Sequence, residues 1–493
     1  DSVGVAPKAR KLKIFGHWRW IRTHLTRTHP VESGGPGRYY NDEPPLRAEL
    51  FSADQMEKHG ARLATAHRVT PDRLPDRLLS RLAANEEVLI DTCNRLTSAV
   101  AQSHRITPAG EWLLDNFNLV EEQIRTARRH LPKGYSRELP SLGEGASAGL
   151  PRVYDIALET IAHGDGRLDP DSLRRFVAAY QTVSPLRLGE LWAFPIMLRL
   201  ALIENLRRVA VRIAAGKLDR DLGAAWAHEL TQMARKNPKD LILVIADMAR
   251  SAPSLSPPFV SELARRLQGR GHALALPLTW IEQQLTESGL SIEQLVRSCN
   301  RQQAADQVSI GNSVGSLRLL GGIDWREFVE SISLVERTLH TDPGAAYAGM
   351  DFASRDRYRH VIEEVAKAGG IAEEEVAGRA VALAQAGAAR HGGGDRRAHV
   401  GFYLVAEGRT ELERDARVRL SPVAALKRKA ARSPLPLYLG SIALLTLLLS
   451  AGLLLQAREE GAGVWTLLLL GLVALLATSQ LAVALVNWLA SLF

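Results

Sequence analysis

Apolar and polar positions follow a helical period along most of this 493-residue chain. Leu113, Phe117, Val120, Ile124 and Ala127 recur at alternating intervals of four and three and make one apolar stripe. Glu121 and Arg125 stand at i,i+4 on its wet side. Leu202, Leu206, Val209 and Ile213 form a second stripe, with Asn205, Arg208 and Arg212 on the opposite face. Start and stop signals agree with this period. Asp169-Pro170 sets a cap before a proline whose missing N–H costs nothing at the first helical position. Ser291 and Gln294 have the spacing of a capping box, and Gly369-Gly370 closes a helix that begins near Arg355. Period-two runs are scarce, and residues 399–405 are the best strand candidate. The pattern predicts helices almost throughout residues 46–390, with turn-rich breaks at 143–149, 251–258, 269–271 and 392–394. There is no repeat of fixed period, although successive helix pairs are compatible with a solenoid-like stack.

The pattern changes near the C-terminal end. Residues 435–455 are 21 positions without a charge, and residues 464–493 are 30 more. Each run exceeds the roughly 20 apolar residues that an α-helix needs to cross the hydrocarbon core. At ~1.5 Å per residue the second is longer than that core, so it must tilt, bend or emerge. Gln480 and Asn487 lie seven apart on one face of it, with Ser479 adjoining. Amides placed there either hydrogen-bond to another helix or line a water-filled path. The run is still apolar at Phe493, which raises the expectation of a longer protein whose next domain follows.

The predicted fold class is therefore all-α, a multi-helix cytosolic region followed by two transmembrane helices. Its parts are a basic aromatic arm (1–45), a helical region (46–390), a basic juxtamembrane segment (391–434), a first span (435–455), a short outer loop (456–463) and a second span (464–493).

Charge orients this scheme. The net charge is +8, and from residue 435 onward Arg458 stands against Glu459 and Glu460, which leaves +9 on the rest. Arg409, Arg414, Arg417, Arg419, Lys427, Arg428, Lys429 and Arg432 precede the first span, diluted in part by Glu411, Glu413 and Asp415. By the positive-inside rule this cluster keeps residues 1–434 in the cytoplasm, and the second span then returns there. No short apolar stretch follows a basic opening, so no signal peptide is expected. Cys93 and Cys299 belong to no C-x-x-C and point to two reduced thiols. In the arm, His17-Trp18-Arg19-Trp20 suits a membrane interface, base stacking, or simple packing on the domain. The basic residues are scattered, not striped, which argues against a nucleic-acid partner.

Candidate chemistry is sparse. Asp169-Pro170-Asp171 and Asp219-Arg220-Asp221 have the D-x-D spacing that holds a divalent ion against a sugar-nucleotide diphosphate. That use needs a loop after a strand. The first pair is read as a helix cap and the second as a polar interhelical segment. The loop from Asp165 resembles an EF-hand but has Phe176 at the twelfth position, where the coordination requires Glu. Residues 392–395 lack the lysine and hydroxyl of a phosphate loop. Arg199, Glu204 and Arg207 are charges beside an apolar stripe and predict a buried or interface ion-pair network. No catalytic, cofactor-binding or metal-binding residue is assigned.

Several longer blocks are more specific. They include Leu113-Leu114-Asp115-Asn116-Phe117, Leu131-Pro132-Lys133-Gly134-Tyr135, Pro151-Arg152-Val153-Tyr154 and Gly189-Glu190-Leu191-Trp192-Ala193. Further on come Met197-Leu198-Arg199 running to Glu204-Asn205-Leu206-Arg207, Ser309-Ile310-Gly311-Asn312, and Asp324-Trp325-Arg326-Glu327-Phe328. Met350-Asp351-Phe352-Ala353, His399-Val400-Gly401-Phe402-Tyr403-Leu404 and Gln480-Leu481 through Asn487-Trp488 complete the series. In this order the blocks resemble the N-terminal region of bacterial cyclic β-1,2-glucan synthases, from about Glu111 onward.

The resemblance implies a large inner-membrane enzyme that polymerises glucose from UDP-glucose and releases the product as a ring. It also implies a glycosyltransferase domain, with a divalent metal, placed after the second span. The chain itself has no Q-x-x-R-W, so no catalytic residue carries over. On this reading the chain braces the transferase domain, and its spans, in contact with the lipid bilayer, help to form a glucan path. The alternative is a non-catalytic, membrane-anchored helical adaptor.

Overall fold

The computed structural model describes residues 43–70, 75–418 and 434–491. The tryptophan motif of the arm and the basic residues 427–432 lie outside them. The chain divides into two compact units, Asp1–Arg337 and Thr338–Phe493.

In the first unit an extended segment from Glu43 leads into α1 (Ala53–Ala66). Next come α2 (Leu78–Ala101), α3 (Pro108–Asp115), α4 (Phe117–His130), α5 (Arg152–His163) and α6 (Pro170–Gln181). The 49-residue α7 (Leu188–Lys236) follows. The unit continues with α8 (Leu241–Ser251), α9 (Pro257–Leu267), α10 (Ala275–Thr286), α11 (Ile292–Leu319) and α12 (Trp325–Ile332). The short α13 (Leu334–Leu339) runs across the division between the units. Among the described residues the only sheet is a two-residue antiparallel pair, β1 (Val69–Thr70) with β2 (Ser141–Leu142).

Helix α7 is the axis, and α2, α5, α9 and α11 pack along it. Its first half is apolar nearly all round, from Leu191 through Phe194, Met197, Leu198, Ala201, Leu202, Ile203 and Leu206, and all of these are buried. A helix apolar on every face belongs in a core. Its second half turns Trp226, Ala227 and Leu230 toward a separate apolar cluster with Met248, Phe259 and Leu263. Gly223 sets the spacing there, since a Cβ on it would stand 2.7 Å from the carbonyl oxygen of Phe259. Only glycine lets α9 lie so close on the backbone of α7.

The second unit holds α14 (Phe352–Gly369), α15 (Glu373–His391), α16 (Val400–Val405) and α17 (Arg409–Asp415), then α18 (Pro434–Glu459) and α19 (Val464–Ser491). Val361, Ile362, Val365, Val376, Ala377, Ala380, Leu404 and Leu412 are buried in its helical part. Helices α18 and α19 pack against each other, and both are long and apolar enough to cross a membrane.

The all-α expectation holds, and so do the caps. Asp169 accepts from the Ser172 N–H, Ser291 and Gln294 form a full capping box, and Gly370 ends α14 at φ +68°. Four details differ. Residues 399–405 do not form a strand; Val400–Val405 is α16, because the carboxylate of Asp342, 58 residues away, accepts the Val400 N–H at 3.0 Å and starts a helix there. Asp219 and Asp221 lie inside α7, not between helices, since no breaker interrupts that stretch. The first predicted stripe is split at Asn116 into α3 and α4, although Leu113, Val120, Ile124 and Ala127 still share one core. Across from the second stripe, Asn205 is buried and donates to Ser309 Oγ (3.1 Å) and Ser313 Oγ (3.0 Å) of α11.

Candidate functional site

Two polar constellations stand out, one inside the first unit and one between the membrane helices. The first centres on Glu204. This carboxylate and its neighbour Arg207 are fully buried on α7. Arg81 of α2 grips Glu204 with two nitrogens, Nη2 to Oε1 at 2.6 Å and Nε to Oε2 at 3.0 Å. Arg207 Nη2 (2.7 Å) and Arg208 Nε (2.8 Å) donate to Oε1, and Asn85 Nδ2 donates to Oε2 at 2.8 Å. Glu43 closes the outer side against Arg81, Arg207 and Arg208. Burial alone would push the Glu204 carboxyl up. Arg81, Arg207 and Arg208 together outweigh it and hold the group below the usual carboxylate range.

Five donors converge on the two Glu204 oxygens, so the carboxylate has no open side toward a substrate. The chemistry of the network is fastening: it ties α2, α7 and the incoming segment at Glu43 together. Arg199, expected to join it, instead donates through Nε to Gln123 Oε1 of α4 at 2.8 Å. A second buried pair does the same for α5 and the start of α7. Arg152 Nε and Nη2 each reach a Glu190 oxygen at 2.7 Å, while Nη1 donates to Ser184 Oγ and Nη2 also donates to the Pro185 carbonyl.

The membrane pair is built the other way round. Ala474, Thr478 and Ala482 recur every four residues along α19 and are buried against α18. Thr478 Oγ1 meets Ser450 Oγ at 2.8 Å, and Thr446 is buried one turn away. Small residues at this spacing let two membrane helices approach closely, and hydroxyls bond across the seam. Asn487 Oδ1 accepts the Tyr438 hydroxyl of α18 at 2.8 Å. Gln480 lies two residues from both Thr478 and Ala482, on the far side of the helix, and is exposed.

The D-x-D pairs are engaged by protein groups. Asp169 caps α6 and Asp171 pairs with Arg174 at 2.7 Å. Asp219 accepts Ser256 Oγ at 2.6 Å and Asp221 holds Lys217 at 2.5 Å. Neither pair fits a metal-bound diphosphate. Asp165 is buried and lies 3.6 Å from Arg47, so the EF-hand-like loop is closed by a protein cation. The sequence gives no local sign of Glu43, Arg81 and Asn85 as partners of Glu204, because 119 to 161 residues separate them from it. The Ala474-Thr478-Ala482 spacing carried a readable signal for the seam.

No family model matches the chain. The cyclic β-(1,2)-glucan synthase NdvB of Rhizobium meliloti (strain 1021) is 31% identical to it over 386 residues, which make up 78% of this chain and 13% of that protein. Over that length the chain belongs to the cyclic β-(1,2)-glucan synthase family. It spans only about an eighth of the curated relative that it matches.

Several of the blocks singled out in the sequence supply buried polar contacts. Arg152 and Glu190 form one pair, Glu204 and Arg207 the inner part of the other. Ser309 receives Asn205, Asn312 Nδ2 donates to the Asp165 carbonyl at 3.1 Å, and Trp325 Nε1 donates to the Leu320 carbonyl at 3.0 Å. These residues hold helices in register.

Proposed function

We propose that this chain is the helical and membrane-inserting part of a cyclic β-1,2-glucan synthase, a membrane glucosyltransferase that polymerises glucose from UDP-glucose. The helices before α18 brace a glycosyltransferase domain, and α18 with α19 contributes to the path of the growing glucan through a bacterial inner membrane. Residues 1–434 lie in the cytoplasm on this reading, consistent with the basic residues before α18 and the short loop after Glu459. The UDP-glucose donor and a divalent metal belong to a domain beyond this chain, since neither D-x-D pair has the setting that such chemistry needs.

The observation that carries the membrane part of the proposal is the exposed Gln480. It is exposed, two residues from the buried seam positions Thr478 and Ala482, while Asn487, seven residues on, is bonded to Tyr438. An amide at membrane depth faces a bundle interior or water, not lipid. The surface of α19 around Gln480 therefore adjoins further polar structure, as a glucan path would be. In the full synthase, Gln480→Leu should lower export of glucan more than its synthesis, measured as extracytoplasmic against cell-bound glucan. Unchanged export in a well-folded variant would remove α19 from the path. The chain by itself, incubated in membranes with labelled UDP-glucose, should form no polymer, and labelled polymer would overturn the placement of the chemistry.

A further inference from the structure

A cluster away from both constellations joins α1, α5 and the extended segment before α1. Glu159 and His163 stand one turn apart on α5 and present side chains on one face. His59 of α1 meets them. Its Nε2 lies 2.8 Å from Glu159 Oε2, and His163 Nε2 lies 3.2 Å from the same oxygen. All three ligand atoms lie within 4.8 Å of one another. The nearest separations approach those between two ligands of one tetrahedral zinc, for metal–ligand bonds of about 2.0–2.2 Å.

The orientation of His163 is fixed from behind. Its Nδ1 stands 2.6 Å from the carbonyl oxygen of Glu49. A carbonyl only accepts, so Nδ1 carries the hydrogen, and a neutral ring then turns the lone pair of Nε2 toward Glu159. The Phe51 ring stacks on His163 at 3.8 Å between centroids and 8° between planes. The Phe51 N–H also donates to the His163 carbonyl at 3.3 Å, which holds the segment against the end of α5. A lone pair aimed at a carboxylate oxygen 3.2 Å away is repulsive unless a cation sits between them. A proton is one such cation and a metal ion is another.

We propose that His59, Glu159 and His163 bind one Zn²⁺ ion, through two imidazole Nε2 atoms and one carboxylate oxygen. Two imidazoles with a carboxylate are a borderline donor set suited to zinc, and three protein ligands leave a position for water. The Glu49 carbonyl behind His163 is the outer partner that metal-binding histidines usually have. The side chains of His59 and Glu159 keep 21% and 31% of their exposure, so the ion has a way in. Bound zinc would pin α1 to α5 and, through Glu49, fix the segment that carries Glu43 into the Glu204 network. This inference does not depend on the glucan reading.

The test uses the full chain, purified in detergent without a histidine tag, stripped with a chelator, then titrated with Zn²⁺ against a chromophoric competitor and with Co²⁺ followed by visible absorption. One tight Zn²⁺ per chain and the absorption of a four- or five-coordinate cobalt are expected. His59→Gln, which keeps a hydrogen-bonding side chain beside Glu159, should weaken Zn²⁺ by more than about a hundredfold, the upper end of what an outer partner alone is worth. Glu159→Gln should do the same. Full binding in both variants would place the ion elsewhere and overturn the site. If neither variant folds, the wild-type chain decides: no stoichiometric Zn²⁺ and no cobalt spectrum would mean that the cluster holds a proton only.

Discussion

The helical core around α7 and the hairpin of α18 and α19 bury opposite kinds of residue. Around α7 the interior is Leu, Ile, Val and Phe, and the buried carboxylates Glu190 and Glu204 are each held by arginine. In the hairpin the leucines face outward, with Leu444, Leu447, Leu448, Leu468 and Leu472 all exposed, while Thr446, Ser450, Ala474, Thr478 and Ala482 are inside. The difference follows from the solvent. In water, apolar burial drives helices together and a buried charge must be compensated. In lipid, apolar contact gives no preference for the partner helix, so close approach and hydroxyl bonds select the seam. Removing one polar group should therefore be costly in the first region and mild in the second.

The largest effect is expected at Glu204. Glu204→Ala removes the carboxylate that Arg81, Arg207 and Arg208 converge on; among the described residues they still share Glu43. Breaking a buried pair in this way costs about 3–5 kcal/mol. That is a large part of the roughly 5–15 kcal/mol that keeps a domain folded. Thermal unfolding in detergent should show the helical unit melting far earlier, and an unchanged melting temperature would mean that the network is not load-sharing. Acid gives the same contrast without a mutation. The folded-state carboxyl of Glu204 is held below its ordinary value of 4.5, so its stabilisation is complete above that pH. It is lost as pH falls through the lower folded value. Glu204→Gln should flatten that part of the acid-unfolding curve.

The next effect is steric. At Gly223 the carbonyl of Phe259 occupies the space that a side chain would need. Gly223→Val forces α9 off α7 and should cost about 1–3 kcal/mol, as overpacking does. Gly440 of α18, with open space around it, is the control in the other region; Gly440→Ala should leave unfolding almost unchanged. Equal losses at the two glycines would contradict the close approach of α7 and α9.

How much of this was readable in the chain depended on whether the cause was local. Caps at Asp169, Ser291 and Gly370 act within four residues, and the period of α4 shows in Val120, Ile124 and Ala127, so both are written in short windows. The two spans are legible from length and absence of charge. What was missed is non-local. The start of α16 is set by Asp342 from 58 residues away, and a seven-residue alternation could not reveal that partner. Asp219 and Asp221 have the polarity of a connection, yet packing by α9 carries α7 straight through them. Glu204 and Arg207 declared themselves as charges beside a stripe, but Arg81 and Asn85 reach them only in the folded chain.

The smallest predicted effect probes the hairpin directly. Thr478→Val keeps the shape of the side chain and removes the hydroxyl that meets Ser450. Interhelical hydrogen bonds within a membrane are worth about 0.6 kcal/mol on average and up to about 1.7. Ser450 does not go unsatisfied in the variant, because a serine hydroxyl in a helix can turn back to the carbonyl four residues earlier. Thr446 already does so, with its Oγ1 donating to the Ile442 carbonyl at 2.8 Å. Unfolding of the membrane part in mixed detergent should thus shift by less than about 1 kcal/mol, several times less than Glu204→Ala costs the helical core. Thr478→Leu should cost more than Thr478→Val, since its bulk pushes α19 away from α18 at the buried seam between Ala474 and Ala482. If valine were as damaging as leucine, the hydroxyl and not the close approach would be holding the hairpin, and the contrast between the two regions would fail.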